Sequence, residues 1–513
     1  MENVSENNKR IAKNTLLLYF RMLLTMAVSL YTSRVVLSTL GVEDYGIYNV
    51  VGGVVTMFSV ISGSLSAAIS RFITFELGKG NKKSLEKIFS SAVTIQLALG
   101  LIILILAESI GVWFLNSKMN IPESRMYAAN WVFQLSIITF IINLISVPYN
   151  ATIIAHEKMS AFAYISILEV SAKLIIVYLL LISPIDRLIF YAILMAFVAF
   201  IIRFIYGYYC KRHFNECTYH FIYDKILLKK MFSFAGWNFI GSASGVLRDQ
   251  GGNIIINLFC GPSVNTARSI AFQVYSAIYS FVSNFMIALN PQITKNYASG
   301  NHEYLISLLY KGARFSFYLL LLLSLPILIN TNYILTLWLK NVPEHTTNFV
   351  RLVLIFALSE SISQPLITAQ NATGRIKNYQ IVVGGLQMMN LPISYILLRI
   401  GYSPEYIFII SIIISQCCLY ARLIMLKTNI KISIFYFVKD VYLNAIFVSL
   451  SSIAVPLFLH LISKDSATNV IAISTVTIMS TIISILHIGC SKKERKMIIN
   501  KIKQIYKKHI HTQ

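Results

Sequence analysis

Charged residues are scarce in this chain. Only 13% of its 513 residues are Asp, Glu, Lys or Arg, whereas 56% are hydrophobic, and no stretch is long and polar enough to form a separate soluble domain. A soluble globular protein carries roughly 25% charged residues. Apolar runs of about 20 residues recur along the whole chain, and this length crosses a bilayer as an α-helix. The composition excludes a soluble protein and predicts an all-α polytopic membrane protein with about fourteen spans.

Motifs for catalysis and for metal or nucleotide binding are missing as well. The six cysteines form no CxxC pair and no disulfide framework, so we expect them to be small buried apolar side chains. The sequence has no HExxH, GxSxG or Walker A motif, and the predicted outer loops are too short to carry a catalytic pair. We therefore expect no enzyme activity, no cofactor and no metal site. Any active transport would draw on an ion gradient or on the gradient of the cargo.

Acidic residues are half as frequent as basic ones. The chain has 21 Asp and Glu against 44 Lys and Arg, a net charge of +23. Such an excess suggests nucleic acid in a soluble protein, but here the charges follow topology. With the N-terminus inside, about 30 basic residues fall in inner segments and about 7 in outer loops. This asymmetry predicts an even number of spans with both termini in the cytoplasm, and no nucleic-acid partner.

The first apolar run extends from Thr15 to Leu40. It is too long for the apolar region of a signal peptide, and no small-residue cleavage site follows it. We expect it to be a retained first span.

The chain repeats itself. Under a shift of 220 residues, Gly80 aligns with Gly300, and Gly41 aligns with Gly261 in the predicted turn between the first two spans of each half. A shift of 217 residues aligns Pro148 with Pro365, Ala155 with Ala372 and Lys158 with Arg375. The repeat predicts two homologous six-helix bundles in parallel orientation, with a central path between them. The predicted divisions are an N-terminal bundle at 1–220, a C-terminal bundle at 221–430, two additional spans at 431–490 and a basic cytoplasmic tail at 491–513.

A few charges interrupt the apolar runs, and a charge at membrane depth is kept only where it faces a wet cavity or a partner. Arg21 and Arg34 lie in span 1, and Arg248 and Asp249 lie in the polar span 7 together with Asn253. One interpretation is that these side chains line a cavity for an anionic cargo. Alternatively, span 7 is a glycine-rich packing seam with an internal Arg–Asp pair, and Arg34 reaches the outer headgroups.

Acidic groups within spans have two interpretations as well. Glu360 lies in span 10, and it is a candidate proton or cation site or a hydrogen-bonding partner of a neighbouring helix. Glu169 precedes Lys173 by four residues, the favourable order for an ion pair along a helix. We expect Arg203 and Arg422 to be anchors near inner ends. The inner segment 156–158, His-Glu-Lys, is expected to be a solvated loop.

The turn before span 2 has the pattern LGxxxYGxYN, with the inner segment after span 2 placing Arg71 before Gly78, Gly80 and Asn81. With fourteen spans in two halves, this pattern resembles the O-antigen type polysaccharide-unit flippases of the multidrug/oligosaccharidyl-lipid/polysaccharide (MOP) exporter superfamily. The resemblance covers essentially the whole chain.

The resemblance implies a function. Such proteins move undecaprenyl-diphosphate-linked oligosaccharides across the bacterial cytoplasmic (inner) membrane by alternating access, for surface polysaccharide or lipopolysaccharide synthesis. They tend to have a cationic cavity, for which this chain offers Arg21, Arg34, Arg248 and Arg268, with Asn253 beside them. Asp249 and Glu360 are candidates for coupling H⁺ or Na⁺, and the expected partners are the lipid-linked glycan and the bilayer, with the chain a monomer. The alternatives are a MATE-type drug or cation antiporter and, less favoured, a membrane-embedded glycan polymerase or acyltransferase.

Overall fold

The fold is that of a helical membrane protein, seen here in a computed structural model. The structure describes residues 2–56, 59–117, 121–222, 224–339, 342–462, 466–492 and 494–496. Within these ranges there is no β-strand, as expected where backbone groups must be satisfied within each segment of a chain in lipid. Most of the predicted tail, residues 497–513, lies outside the described residues.

The first half of the chain contains eight long helices or helical segments. In chain order they are α1 (Glu2–Thr56), α2 (Ser59–Lys79), α3 (Lys82–Leu106), α4 (Val112–Ser117), α5 (Glu123–Ala155), α6 (Met159–Leu181), α7 (Arg187–His213) and α8 (Lys225–Ala298). A π-helical turn at Ala107–Gly111 joins α3 to α4, and a 3₁₀ turn at Asn215–Cys217 follows α7.

The second half continues in the same way. Its helices are α9 (His302–Ile329), α10 (Thr331–Leu339), α11 (Thr346–Thr373), α12 (Lys377–Tyr379), α13 (Gly385–Met388), α14 (Asn390–Ile400), α15 (Tyr406–Ile430), α16 (Ile434–Phe437), α17 (Asn444–Ile462) and α18 (Ala467–Ser484). Three more π-helical segments lie at Gln380–Gly384, Val438–Leu443 and Ile485–Gly489.

Twelve helical stretches in the described part of the chain are long and apolar enough to cross a membrane. The expected count of about fourteen is not confirmed. The predicted spans at about 45–68 and 231–258 are not among the twelve, and both are rich in glycine and polar residues. The chain is thus a multi-pass membrane protein. The predicted span at about 45–68 includes residues 57 and 58, which lie outside the described part of the chain.

The turns that we expected at Gly41 and Gly261 are wrong. Helical hydrogen bonding continues through both positions, within α1 and α8. A glycine disfavours a helix by only about 1 kcal/mol, so it does not end one unless other groups bond the freed carbonyls.

Other positions paired by the repeat have the same backbone conformation. Gly80 and Gly300 follow α2 and α8 with φ of 72° and 75°, the left-handed region that glycine adopts without strain. Pro148 lies within α5, and its counterpart Pro365 lies within α11. The repeat detected in the sequence therefore corresponds to repeated local structure.

By inter-residue contacts the chain divides into two compact units. Unit 1 comprises Met1–Ala243 and Ile287–Asn301, and unit 2 comprises Ser244–Met286 and His302–Gln513. Helix α8 contributes to both units. The domain limits that we predicted from the sequence stay predictions.

Unit 1 is built around α5, α6 and α7. Its core holds fully buried side chains such as Leu18, Ile153 and Val177, and a second cluster surrounds Phe133. Arg125 bonds the carboxylates of Asp44 and Asp186, so that one guanidinium links α1, α5 and the start of α7. Burial alone would raise the pKa of the Asp186 carboxyl, but Arg125 and two backbone amides hold that pKa below its ordinary value.

Unit 2 contains the helices from α9 onward. Two clusters form around Val383 and Cys418 and around Ile256 and Ile407. The last two spans, α17 and α18, pack on each other and on α9. Between α17 and α18, Ser480 Oγ donates to the Ser452 carbonyl. The core of unit 2 positions the polar residues described next.

Candidate functional site

Arg248 and Asp249 form a direct ion pair. The Arg248 Nε donates to Asp249 Oδ1 at 2.8 Å, and Nη2 donates to Oδ2 at 3.3 Å. The Arg248 guanidinium also lies 5.0 Å from the centre of the Phe356 ring on α11. Adjacent residues on a helix point about 100° apart, so the sequence left this pair undecided. Because the two charges are matched, the pair has no net charge while both groups are ionised.

Arg268 lies on the same helix and is almost fully buried, with 3% of its surface exposed. Its Nε donates to Asn253 Oδ1 at 2.7 Å and its Nη2 donates to the Asp249 carbonyl at 2.9 Å. The guanidinium lies 4.5 Å from the centre of the Phe272 ring. In the described part of the chain no carboxylate lies within salt-bridge distance of it. Arg268 is thus a buried cation held in place by neutral groups.

Gly252 makes room for this guanidinium. A Cβ at position 252 would lie 2.7 Å from Arg268 Nη2 and 3.0 Å from Cζ. Real side chains do not approach so closely, so the glycine is required by the position of the arginine. The sequence indicated close packing at this glycine but not its partner.

We expect Gly252→Ala to impair transport more than stability. The new methyl group displaces the Arg268 guanidinium, which ends a flexible side chain, so the helix itself needs little adjustment. The measurement is the substrate dependence of transport beside the thermal unfolding temperature, and Gly245→Ala is the matched control because a Cβ there meets nothing within 4 Å. Equal transport by both variants would show that the position of the guanidinium is unimportant.

The cavity at Arg268 has a volume of about 540 Å³. It is lined by Asp249, Asn253, Arg268, Ser269, Phe272, Gln273 and Ser276. Small-molecule sites typically measure about 300–1,000 Å³. Since Arg248 neutralises Asp249, the charge of Arg268 remains, and the cavity suits a compact anion with hydroxyl or amide groups around it.

Of the two predicted site residues in span 1, the structure describes the side chain of Arg21 alone. Arg21 belongs to unit 1, where its Nη1 donates to Ser166 Oγ at 3.4 Å and its guanidinium lies 4.6 Å from the centre of the Phe162 ring. Arg34 lies within α1, but its side chain is outside the described residues. The interpretation that residues of span 1 and span 7 line one cavity stays a prediction.

Glu360 lies in a buried polar network of unit 2. Ser415 Oγ donates to its Oε1 at 2.7 Å, and Ser359 Oγ lies 2.7 Å from Ser415 Oγ. Of the two interpretations, hydrogen bonding to a neighbouring helix is therefore present, since Ser415 lies on α15. Whether Glu360 also carries a proton or cation stays a prediction.

The prediction that Arg422 is an anchor at an inner end is wrong. Only 1% of its surface is exposed, and its guanidinium donates to Ser363 Oγ at 3.0 Å and to Tyr379 Oη at 3.3 Å. Glu360 is close enough to act on it electrostatically. A buried charge persists where hydrogen bonds and an opposite charge compensate it. The serines at 359 and 363, one helical turn apart on α11, were the signal that sequence reasoning missed.

The prediction of a solvated loop at 156–158 holds for Lys158, which is exposed, and is wrong for Glu157. The Glu157 side chain is 2% exposed and accepts from Gln292 Nε2 at 2.6 Å, from Lys295 Nζ at 2.7 Å and from Arg10 Nε at 2.8 Å. These partners come from α1 and from the end of α8, all within unit 1. The carboxylate therefore fastens two distant segments to the connection between α5 and α6.

The backbone at Glu157 is unusual too. Its φ is 58°, and the repeat aligns it with Gly374, whose φ is 72°. A left-handed conformation costs a non-glycine residue about 1 kcal/mol. The N-terminal half thus has Glu157 where the C-terminal half has Gly374, the residue type that this turn favours. The ionic contacts of Glu157 offset the cost of its left-handed backbone.

The expected pair of Glu169 and Lys173 is confirmed. Lys173 Nζ donates to Glu169 Oε1 at 2.6 Å along α6. Lys173 also lines a cavity of about 250 Å³ in unit 1 with Thr25, Ser29 and Tyr48. Lys173 is already paired with the Glu169 carboxylate, whereas Arg268 bonds neutral groups. The positive charge of Lys173 is therefore better matched than that of Arg268.

The chain matches two families. Residues 11–297, more than half of the chain, match the family described as polysaccharide biosynthesis protein, and residues 250–396 match the MatE family. The membrane protein EpsK of Bacillus subtilis (strain 168), described as uncharacterized, is 22% identical over 310 residues, which are 59% of this chain and 60% of EpsK. The matched region thus spans about 60% of the length of that relative.

Solved structures share the fold. A MATE in the bent conformation superposes with a TM-score of 0.72 at 13% identity, and an outward-facing multidrug resistance MATE family transporter of the MOP superfamily with 0.71 at 12%. A MOP superfamily transporter from Pyrococcus furiosus Vc1 (DSM3638), for which a binding pocket of reverse polarity is described, also gives 0.71 at 12%. Each superposition covers 83% of this chain and 96% of the other. The family match confirms the predicted family and the superpositions confirm the predicted fold: this chain belongs to the polysaccharide biosynthesis protein family and has a fold similar to that of MATE transporters.

Proposed function

We propose that this chain moves undecaprenyl-diphosphate-linked oligosaccharide units from the inner to the outer leaflet of the bacterial cytoplasmic membrane. The single observation that carries the proposal is Arg268, a buried cation that lines a polar cavity and bonds only neutral groups within the described residues. A cationic drug would meet repulsion from this arginine, whereas a diphosphate would be attracted.

Arg268 is well suited to a phosphate. A guanidinium has five N–H donors in a planar fork, and two of them are used by Asn253 and the Asp249 carbonyl. The remaining donors bind two phosphate oxygens side by side, with charge-assisted hydrogen bonds that are stronger than neutral ones. Asn253 holds the fork in orientation, so less entropy is lost when the phosphate binds.

The sugars and the lipid need different surroundings. Ser269, Gln273 and Ser276 offer hydroxyl and amide groups to the glycan in the same cavity. The polyprenyl chain stays in the bilayer, since apolar carbon gains nothing from the polar lining. Alternating access then delivers the headgroup to the other side.

Asp249 and Glu360 are the proposed sites for a coupling ion. Asp249 is held by Arg248, so protonation of its carboxylate would release that guanidinium into the cavity. Glu360 shares its network with Arg422 and Ser415. In this proposal both termini lie in the cytoplasm, where the basic segments are concentrated.

Reconstituted vesicles test the function. The purified chain is placed in liposomes with a polyprenyl-diphosphate oligosaccharide labelled on the sugar, and the fraction of label reached by an external lectin is followed with time. We expect the fraction to rise above that of protein-free liposomes, and export of the cationic dye ethidium to stay at the protein-free level. Dye export without glycan movement would favour the cation antiporter instead.

A further inference from the structure

A second and larger cavity lies in unit 2, far in sequence from the residues that surround Arg268. It has a volume of about 750 Å³ and is formed by the start of α9, the π-helical segment before α17 and the residues after α18. The six residues that matter here are Lys311, Arg314, Lys439, Asp440, Phe447 and Ile488. All these segments belong to the side that the charge distribution assigns to the cytoplasm.

The charged lining has an unmatched positive charge. Arg314 bonds Glu494 at 3.0 Å and the Gly489 carbonyl at 3.1 Å, so Glu494 is neutralised. The other charged residues of the lining are Lys311, Lys439 and Asp440. Among the described residues, none of these three takes part in a salt bridge. The lining therefore has a net charge of +1 and attracts an anion.

One donor in the lining lacks an acceptor. The Nε of Arg314 is buried and has no hydrogen-bond partner in the described part of the chain. A buried donor without an acceptor costs about 1–3 kcal/mol.

One wall of the cavity is apolar and exposed. Phe447 has 58% of its surface exposed and Ile488 has 43%. Both lie on apolar helical stretches long enough to cross a membrane, so this wall faces the acyl region of the bilayer. A soluble anion would leave the wall uncovered, whereas a phospholipid covers it with its chains.

We infer that this cavity binds an anionic phospholipid, with its phosphate between Lys311, Lys439 and Arg314 and its acyl chains along Phe447 and Ile488. This site is separate from the proposed glycan site, and it needs only a membrane-embedded chain. A bound lipid here would join α9 to the last two spans. The inference goes beyond the proposed function and does not depend on it.

Binding of a defined lipid to the purified full chain in detergent tests the inference. The probe is phosphatidylglycerol, with phosphatidylcholine as the neutral comparison, and bound lipid is counted by native mass spectrometry. A basic residue near a membrane surface contributes about 1 kcal/mol, so Lys311→Gln with Lys439→Gln is expected to weaken binding of phosphatidylglycerol roughly 30-fold. Lys427→Gln, an exposed lysine of α15 that is not part of the lining, is the matched control and should change nothing.

Asp440→Asn gives a result that misfolding cannot imitate. Removing the opposing carboxylate is expected to tighten binding of phosphatidylglycerol roughly fivefold, by the same contribution per charge. Equal retention of the lipid by wild type, the double lysine variant and Asp440→Asn would overturn the inference. Displacement of the lipid by inorganic phosphate at equal concentration would also overturn it, because the site would then be one for a soluble anion. Glycan movement in liposomes is measured separately, so failure of either idea leaves the other intact.

Discussion

Replacing Arg268 with alanine is expected to lower glycan movement roughly 10- to 100-fold, because a hydrogen bond to a charged group is worth about 1.5–3 kcal/mol. The variant removes the unmatched cation of the cavity while Arg248 and Asp249 keep each other neutral. Arg268→Lys keeps the charge but loses the planar fork, so we expect an intermediate rate. The measurement is the initial rate of lectin access in the liposome assay.

Arg399→Ala is the matched control for this prediction. Arg399 also belongs to unit 2 but is exposed at the end of α14. We expect Arg399→Ala to move the glycan at the wild-type rate at equal protein level. The size-exclusion profiles of Arg268→Ala, Arg268→Lys and Arg399→Ala are expected to match that of the wild type. If Arg268→Ala moved the glycan as fast as Arg399→Ala, the cavity at Arg268 would have no part in transport.

Replacing Glu157 with alanine is expected to destabilise the protein by on the order of 3 kcal/mol, the cost of breaking a buried ion pair by removing one partner. The change leaves Lys295 and Gln292 without their acceptor and loosens Arg10 from the same point. The measurement is the thermal unfolding temperature of the purified protein in detergent. Glu303→Ala, an exposed acidic residue in the first turn of α9, is the control, and we expect little change from it.

A double variant separates the ion pair from the packing. Glu157→Gln combined with Lys295→Met removes both charges together, and a buried pair replaced by neutral groups is often no less stable. We expect the double variant to unfold at a higher temperature than Glu157→Gln alone. Additive losses would instead mean that Glu157 acts through packing or through its backbone conformation, and not through Lys295.

The repeat and the helical class were accessible from the sequence for a physical reason. Apolar runs of about 20 residues have one way to satisfy their backbone in lipid, so helices follow from length and composition. The local pairing of Lys173 with Glu169 was also predictable, because it depends only on the spacing along one helix. The conformations shared by Gly80 and Gly300 follow from short segments in the same way.

Errors arose where a charge finds its partner far along the chain. Arg422 lies near the end of a predicted span, where a membrane anchor is expected. In the structure, however, it bonds residues of α11 and α12. Nothing near position 157 indicates that residues 135 and 138 positions away, Gln292 and Lys295, bond its carboxylate.

Composition and periodicity alone predict an all-helical membrane protein with an internal repeat, an excess of basic residues and a few costly charges within its spans. These properties are set by local composition and by the bilayer. Only the tertiary structure decided which of those charges are matched. It pairs Arg248 with Asp249, buries Arg422 against Ser363 and Tyr379, and leaves Arg268 with neutral partners. The compensation of a buried charge depends on atoms within a few ångströms, and folding brings these from distant parts of the chain.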